Sequence, residues 1–258
     1  VAGMFGNVLN LRHLAQLIGN ERPFYGLQAR GLYGDHEPHA TFEEMAVDYI
    51  KEMKTVQPEG PYIIGGFSGG GITAYEIARQ LKAAGDTVAE VILLDTPLPY
   101  NDPLSSVDRM SIHWQRIQSK GLGYFAEWTK DRYQWELKKF RKRFQNVEEE
   151  GESPAEFKSG VMEVAFYNAL AAYQIEPQDV SVKLFRPKLP VKYRLSGGRV
   201  ANEDRQVIFE DNGWPRYIEN FKVFEVPGNH DSMVLEPNVR VLATKMRECI
   251  DNADPKTK

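Results

Sequence analysis

The segment Gly65 to Gly71, GGFSGGG, surrounds a single hydroxyl group with glycines. Glycines between a strand and a helix can offer backbone N–H groups to a phosphate. They can also form the sharp turn that exposes a nucleophilic serine. Residues 66–70 fit the serine pattern G-x-S-x-G, and residues 69–74 fit G-x-G-x-x-A, a variant of the dinucleotide fingerprint. The neighbouring residues must decide between the two chemistries.

The phosphate interpretation is the weaker one. The dinucleotide fingerprint needs an acidic residue about 20 positions further on, at the end of the next strand. Glu90 is at a suitable distance, but it lies inside the predicted strand VAEVILLD. A P-loop would have a lysine after the glycines, whereas Ile72 and Thr73 follow Gly71. We therefore interpret the segment as a nucleophile turn and predict no cofactor-binding site.

A nucleophile turn gives the residues around Ser68 separate roles. Ser68 would adopt a strained backbone conformation at the carboxyl edge of a sheet. Gly66 and Gly70, two positions before and after it, would be the small residues that relieve crowding between them. The backbone N–H of Gly69, at the start of a helix, would face a developing oxyanion.

A serine hydroxyl is a poor nucleophile unless a base accepts its proton and an acid orients that base. After a serine on such a turn, the expected chain order is acid and then histidine. Asp95 ends the predicted strand VILLD, with Asp102 and Asp108 as alternative acids. His230, in FEVPGNHDSMVLEP, lies between a predicted strand and the last predicted helix. The sequence thus predicts a triad of Ser68, Asp95 and His230.

The other four histidines receive no catalytic role. His13, His36 and His39 precede the serine, and we interpret them as surface or packing residues. A metal pair of His36 and His39 lacks a third ligand nearby, so we predict no metal site. His113 lies on a predicted helix of a central insertion.

The elements that must position these residues alternate between strand and helix. The predicted strands are 22–32, which continues into a loop, 61–67, 88–95, 180–187 and 220–228, and the predicted helices include 41–56, 71–85 and 237–252. This alternation predicts an α/β fold, a mostly parallel sheet flanked by helices. Residues 97–179 are predicted to be a helical insertion over the sheet, so we expect one domain, 1–258. No strand is predicted before the loop VAGMFG, and we expect the sequence to begin inside its fold.

Composition excludes several classes of protein. A chain of 258 residues with 42% hydrophobic and 26% charged residues is typical of a soluble globular protein. The net charge of −4 argues against nucleic-acid binding. The single cysteine, Cys249, excludes an internal disulfide and suits a reducing compartment. No apolar run approaches the ~20 residues that cross a bilayer. We expect a cytoplasmic protein with no nucleic-acid or membrane partner.

Five segments together resemble the thioesterase domains that end polyketide synthases and nonribosomal peptide synthetases. They are RPFYGLQARGL, TFEEMAVDYI, QPEGPYIIGGFSGGGITAYEIARQL, VILLDTPLP and VPGNHDSMVLEP. The resemblance implies an α/β-hydrolase fold in which the insertion at 97–179 is a lid. It supports Asp95 as the acid. In this family the catalytic acid follows the strand that comes after the helix of the nucleophile turn. It also implies that the N–H of Met4, in the loop GMFG, is the second oxyanion donor beside that of Gly69.

The resemblance further implies a reaction and a partner. An acyl chain would pass from the phosphopantetheine arm of an acyl or peptidyl carrier protein to Ser68, and then leave by hydrolysis or cyclisation. The carrier would act in cis, upstream of this sequence, and the enzyme would need no cofactor of its own. The alternatives are a freestanding type II editing thioesterase, an esterase or lipase of the same fold, and a binding module on an inactive hydrolase fold. The basic stretch 138–144 is predicted to be a solvated helix face, with docking of an acidic carrier as the alternative.

Overall fold

The computed structural model describes residues 1–19, 22–99, 103–120 and 159–253. The chain divides into two compact units. The first unit comprises Val1–Pro99, Phe157–Leu189 and Glu210–Lys258, and the second comprises Tyr100–Glu156 and Pro190–Phe209. The single domain expected for residues 1–258 stays a prediction.

The helices and strands are numbered in chain order. The described strands are β1 (Tyr62–Phe67), β2 (Val88–Leu94), β3 (Val182–Pro187), β4 (Tyr193–Arg194), β5 (Val200–Ala201), β6 (Val207–Ile208) and β7 (Phe221–Val226). The described α-helices are α1 (Arg12–Ile18), α2 (Phe42–Val56), α3 (Gly70–Ala83), α4 (Ser106–Lys120), α5 (Ser159–Ala172) and α6 (Asn238–Ala253). Short 3-10 turns lie at Leu9–Leu11, Ser196–Gly198, Trp214–Arg216 and Ser232–Val234.

The first unit is built on a parallel sheet with the strand order β1-β2-β3-β7. Most residues of its central strands β2 and β3 are buried, as expected for strands that are covered on both faces. The last residue of β1, Phe67, pairs with Leu94, the last residue of β2. The residues that follow these two strands therefore leave the sheet at the same edge.

Helices cover both faces of this sheet. On one face, α2 and α3 pack with α5 against β1, β2 and β3, and on the other face α1 packs with α6. Helix α2 begins as predicted, because the Thr41 hydroxyl accepts a hydrogen bond from the N–H of Glu44. The Glu44 carboxylate accepts one in return from the N–H of Ala40. The predicted parallel sheet flanked by helices is confirmed.

The N-terminal segment corrects one prediction. Residues 22–29 form no strand, although a strand was predicted over 22–32. Among the described residues, two backbone hydrogen bonds join this segment to the N-terminal residues, from Ala2 N–H to the oxygen of Leu27 and from Ala29 N–H to the oxygen of Gly6. Two separated bonds do not make a regular ladder.

The first residue of the chain lies against the outer edge of the sheet. The amino group of Val1 donates to the oxygen of Gly65 over 2.7 Å. The N–H of Phe67 donates to the oxygen of Val1 over 3.4 Å. This pattern is that of a parallel ladder, so Val1 extends the hydrogen bonding of β1 even though no strand was predicted at this end of the sequence.

The second unit has its own small core. Strands β4, β5 and β6 form an antiparallel sheet, and α4 contributes Ile112 to a cluster with Tyr193 and Leu195. Asp108 is fully buried there, with its carboxylate accepting hydrogen bonds from Ser105 and Ser196. These bonds hold the pKa of Asp108 well below its ordinary value. Asp108, one of the alternative acids, is thus fully engaged within this unit.

Part of the predicted insertion lies outside the described residues. Of 97–179, the structure describes α4 and α5, which are helical as predicted, and the segment leading to β3. The alternative acid Asp102 and the basic stretch 138–144 lie outside the described residues. No described helix has the length and apolar character of a membrane span.

Candidate active site

Ser68 lies on a sharp turn between β1 and α3. Its φ of 53° is in the left-handed region, which a side-chain-bearing residue adopts only when its surroundings enforce it. The N–H of Ser68 donates to the oxygen of Leu94 over 2.8 Å, and the hydroxyl of Thr96 donates to the oxygen of Ser68 over 2.7 Å. The turn is therefore held from both sides by the end of β2 and the loop after it.

The glycines around Ser68 allow close backbone contacts. A Cβ placed on Gly66 would lie 2.2 Å from the backbone oxygen of Gly70, so the predicted crowding between these positions is present. A Cβ on Gly70, however, would lie 2.1 Å from the backbone oxygen of Ala2. The role predicted for Gly70 was therefore incomplete, because its missing side chain makes room for the N-terminal segment. Gly71 similarly lets α3 approach Thr96.

Asp95 and His230 complete a continuous hydrogen-bonded chain to Ser68. The Nδ1 of His230 lies 2.9 Å from the Oδ2 of Asp95, and its Nε2 lies 3.0 Å from the Oγ of Ser68. Because a carboxylate can only accept, Nδ1 carries the proton and Nε2 accepts from the serine hydroxyl. Asp95 directly follows β2, with a φ of 47°, and its N–H donates to the oxygen of Phe185. The three residues predicted as a triad thus meet at the carboxyl edge of the sheet.

The imidazole of His230 is held by a ring contact as well as by its hydrogen bonds. The ring of Phe67 stacks on it, with 5.2 Å between the ring centroids and 29° between the planes. The side chain of His230 keeps 41% of its surface exposed, whereas that of Asp95 keeps 16%. The base is therefore accessible from solvent, while the acid that orients it is mostly buried.

Met4 and Gly69, the predicted oxyanion donors, both lie in backbone segments next to Ser68. Met4 lies in a turn closed by a hydrogen bond from the N–H of Gly6 to the oxygen of Gly3. A Cβ on Gly3 would lie 3.6 Å from the Cβ of Ser68, which places this turn next to the serine. Gly69 is the first residue before α3. Within the described part of the chain, no acceptor is assigned to the N–H of Met4 or of Gly69.

Comparison with known proteins shows what the chain is similar to. Residues 4–110, under half of the chain, match the model of the family described as thioesterase domain. This part of the chain thus resembles a thioesterase domain. The solved structures that resemble it include a four-domain nonribosomal peptide synthetase, holo-AB3403, with a TM-score of 0.65 and 27% identity over 96% of this chain and 19% of that one. The thioesterase domain of NocB has a TM-score of 0.63 and 24% identity over 96% of this chain and 91% of that one.

The curated relatives that this chain resembles are much longer proteins, of which it spans a small part. Polyketide synthase PksR of Bacillus subtilis is 47% identical over 78 residues, which are 30% of this chain and 3% of the synthase. Non-reducing polyketide synthase PKS1 of Zymoseptoria tritici is 28% identical over 236 residues, 91% of this chain and 10% of the synthase. The resemblance predicted from the sequence and the α/β-hydrolase fold are both confirmed by these likenesses.

The hydrogen bond from His230 to Asp95 sets the pH dependence expected of a hydrolase built on these three residues. This bond raises the pKa of His230 above its ordinary value of about 6.5, and burial of the ring opposes it in part. A base must be neutral to accept a proton, so kcat/KM is expected to fall as the pH drops through this raised pKa. In Asp95→Asn the main cause of the shift is gone, and the acidic limb of the profile is expected to move to lower pH. Rates of hydrolysis of a small acyl thioester between about pH 5 and 9 would check this. If the acidic limb of Asp95→Asn stayed at the pH of the wild type, the hydrogen bond to Asp95 would not be the cause of the raised pKa of His230.

Several residues near the site were not predicted from the sequence. Asn212 contacts Asp95, Arg186 contacts Asn212, and the ring of Phe166 lies over Gly69. Thr96, which holds Ser68, could have been found because it adjoins the predicted acid. Asn212 lies 117 positions from Asp95 and Arg186 lies 26 positions from Asn212, so no local pattern connects these residues.

His36 and His39, predicted to be surface or packing residues, lie outside the triad. His39 is buried, and its Nε2 lies 2.7 Å from the carboxylate of Asp48 on α2. His36 is exposed beside Asp35. Among the described residues no group of three or more His, Cys, Asp or Glu is arranged to hold a metal ion.

A cavity lies along the outer edge of β1. It has a volume of about 680 Å³ and is lined by residues of β1, β2, α1, α2 and α6 and by the segment 22–27. Its lining includes Gly66 and Phe67 but neither Ser68 nor His230. The cavity thus reaches the end of β1 without containing the proposed nucleophile or base.

Proposed function

We propose that this thioesterase domain accepts an acyl or peptidyl chain from a carrier protein onto Ser68 and releases the chain from a polyketide synthase or nonribosomal peptide synthetase. The observation that carries the proposal is the unbroken run of hydrogen bonds from Ser68 through His230 to Asp95. In this assignment Ser68 is the nucleophile, His230 the general base and Asp95 the residue that orients it. Such an arrangement activates a serine for attack on a carbonyl carbon.

The first half of the reaction forms an acyl-enzyme. The Nε2 of His230 accepts the proton as the Oγ of Ser68 bonds to the thioester carbonyl carbon. The carbonyl oxygen then carries a negative charge, which the N–H groups of Gly69 and Met4 stabilise. When this intermediate collapses, the carbon–sulfur bond breaks, and the departing thiolate of the phosphopantetheine arm takes the proton from His230.

The second half frees the chain. A water molecule, or a hydroxyl or amine of the acyl chain itself, loses a proton to His230 and attacks the acyl ester of Ser68. Collapse of the second oxyanion breaks the ester bond, and His230 returns its proton to Ser68. Water gives a free acid and an internal nucleophile gives a ring. The phosphopantetheine belongs to the incoming substrate, and no step requires a cofactor of the domain's own.

The length of the relatives supports a carrier protein in cis. The chain spans 3% of PksR and 10% of the Zymoseptoria synthase, so the relatives place matching sequence within much larger proteins. The four-domain synthetase shares 27% identity over nearly the whole of this chain. We accordingly propose that the partner is an acyl or peptidyl carrier domain of the same polypeptide. A cytoplasmic location stays a prediction from the single cysteine.

Intact mass measurement tests the proposal. A fluorophosphonate is expected to add one adduct to the wild-type domain, at Ser68, and none to Ser68→Ala. A panel of acyl-pantetheine thioesters is expected to yield a transient acyl adduct and a free thiol. The product mass separates the two release routes, because a ring is lighter than the free acid by one water. An adduct that forms equally in Ser68→Ala would contradict the proposal.

A further inference from the structure

The carboxylate of Asp95 is contacted through both of its oxygens. Its Oδ2 accepts from the Nδ1 of His230, and its Oδ1 accepts from the side-chain amide of Asn212, whose Nδ2 lies 3.4 Å away. A carboxylate held by one oxygen can rotate about the bond to its Cβ. A donor on the second oxygen limits that rotation and keeps Oδ2 directed at the imidazole.

The backbone around Asn212 is fixed to the loop that carries Asp95. The N–H of Leu98 donates to the oxygen of Asn212 over 3.1 Å. The indole Nε1 of Trp214, a fully buried side chain, donates to the oxygen of Thr96 over 2.8 Å. Two bonds thus tie the turn at 212–214 to the residues immediately after Asp95, and they hold the amide of Asn212 close to the carboxylate.

Residue 212 has a conformation that restricts which amino acids fit. Asn212 has a φ of 53° and the following Gly213 a φ of 84°, both in the left-handed region. Asparagine adopts this region more readily than most other residues with a side chain. The Oδ1 of Asp211 accepts from the N–H of Gly213 over 2.8 Å, which stabilises the turn. The position therefore combines a left-handed backbone with a side-chain donor.

Arg186 determines which way the amide of Asn212 faces. Arg186 ends β3 next to Pro187 and is 7% exposed. Its Nη1 lies 3.4 Å from the Oδ1 of Asn212. Because a guanidinium can only donate, the amide oxygen must face Arg186 and the amide nitrogen must face Asp95. The buried arginine thus orients the donor.

We infer that Asn212 is a positioning residue for the acid of the triad, with Arg186 setting the direction of its amide. The inference rests on the proposed function of Ser68, Asp95 and His230. Asn212 touches no reacting atom. It acts through Asp95, whose carboxylate it keeps directed at His230 throughout the reaction. Its removal should therefore change the protonation of His230 and the rate of the chemical step rather than substrate binding.

Two variants separate the effect of the Asn212 side-chain amide from the effect of its backbone conformation. Asn212→Gly keeps the left-handed conformation and removes the amide. It is expected to slow labelling of Ser68 by a fluorophosphonate about three- to tenfold, the kinetic equivalent of one hydrogen bond, with KM for an acyl thioester unchanged. Asn212→Asp keeps the shape and adds a negative charge beside Asp95. That charge favours the imidazolium form, so the acidic limb of the labelling-rate profile should move to higher pH.

The measurement is the second-order rate constant of labelling, by intact mass, as a function of pH. Arg205→Gly is the control, because Arg205 also has a positive φ, 64°, but is exposed and lies in the second unit. It should leave the profile unchanged. If the wild type is not labelled at all, the triad itself is wrong. If the wild type is labelled and both Asn212 variants keep its rate and profile, or show only a lower melting temperature, Asn212 has no positioning role.

Discussion

Ser68→Ala is expected to lower thioester turnover on the order of 10⁴- to 10⁶-fold and to abolish labelling by a fluorophosphonate. The physical reason is that no other group can form the acyl ester in place of the hydroxyl that lies 3.0 Å from the Nε2 of His230. His230→Ala should cost about as much, because residues that act as a unit lose most of their effect when one of them is removed. The double variant should be little worse than either single one.

Asp95→Asn gives a related but separable result. An asparagine can turn its amide nitrogen toward Nδ1 of His230, and Nδ1 would then have to accept rather than donate. The proton would move to Nε2, which could no longer take the proton of Ser68. A loss of about 10⁴-fold in kcat with intact folding is expected from this tautomer change. In Asp95→Ala no amide would force the proton of His230 onto Nε2, so part of the molecules should regain the active tautomer. The imidazole would still lack the hydrogen bond that orients it.

The controls for these losses are residues of the same type outside the site. Ser119→Ala removes an exposed hydroxyl on α4 that donates to the oxygen of Arg116. His36→Ala removes an exposed imidazole. Both should keep wild-type turnover, and circular dichroism should be unchanged in all variants. Turnover of Ser68→Ala within tenfold of the wild type would show that the nucleophile has been misassigned.

The sequence predicted the triad because each member has a local signal and one topological rule joins them. Ser68 lies in a glycine pattern after a buried strand, Asp95 ends the next strand, and His230 follows the last one. Parallel strands place their carboxyl ends at one edge, so three signals far apart in the chain converge. The strand order β1-β2-β3-β7 even separates His230 from Ser68 by two strands, which the loop after β7 spans.

The residues that the sequence did not reveal depend on contacts between distant segments. Asn212 meets Asp95 across 117 positions, and its turn has no hydrophobic periodicity that would mark it. Strands β4, β5 and β6 are two residues long, too short for an alternating pattern. The segment 22–32 had a composition suitable for a strand, but a strand needs a neighbouring strand to pair with. Among the described residues, two backbone hydrogen bonds join this segment to the N-terminal residues. Local preference could not decide any of these cases, because the deciding contacts are tertiary.

Gly66→Ala is expected to be strongly disruptive, because three backbone atoms occupy the space of the added methyl group. A Cβ at this position would lie 2.2 Å from the backbone oxygen of Gly70 and 2.4 Å from the backbone nitrogen of Gly71. Both atoms belong to the start of α3, whose position also sets the N–H of Gly69 and the φ of Ser68. Relief of the overlap must therefore move the helix or open the turn. We expect a loss of about 3 kcal/mol or more in the free energy of unfolding.

The adjacent glycine provides the matched control. Gly65 precedes Gly66 on the same strand, but a Cβ there would lie 3.4 Å from the oxygen of Ile92, an ordinary contact. Gly65→Ala should thus cost much less stability. Gly160→Ala, on α5 with no atom within 4 Å of its Cβ, should be neutral or stabilising by about 0.5–1 kcal/mol, since alanine favours helix. Denaturant unfolding measures all three.

Labelling distinguishes damage to the turn from damage to the whole fold. In folded Gly66→Ala, a displaced α3 would misplace the oxyanion donor and Ser68 together, so fluorophosphonate labelling should fall by at least about 10²-fold, the effect of losing one oxyanion donor. In Gly65→Ala both the nucleophile and the donor keep their places, and labelling should stay close to wild type. If Gly66→Ala and Gly65→Ala were equally stable and equally labelled, the nucleophile turn would tolerate a methyl group at a position where the backbone leaves no space for one. The crowding at residue 66 would then not be what holds Ser68 in its left-handed conformation.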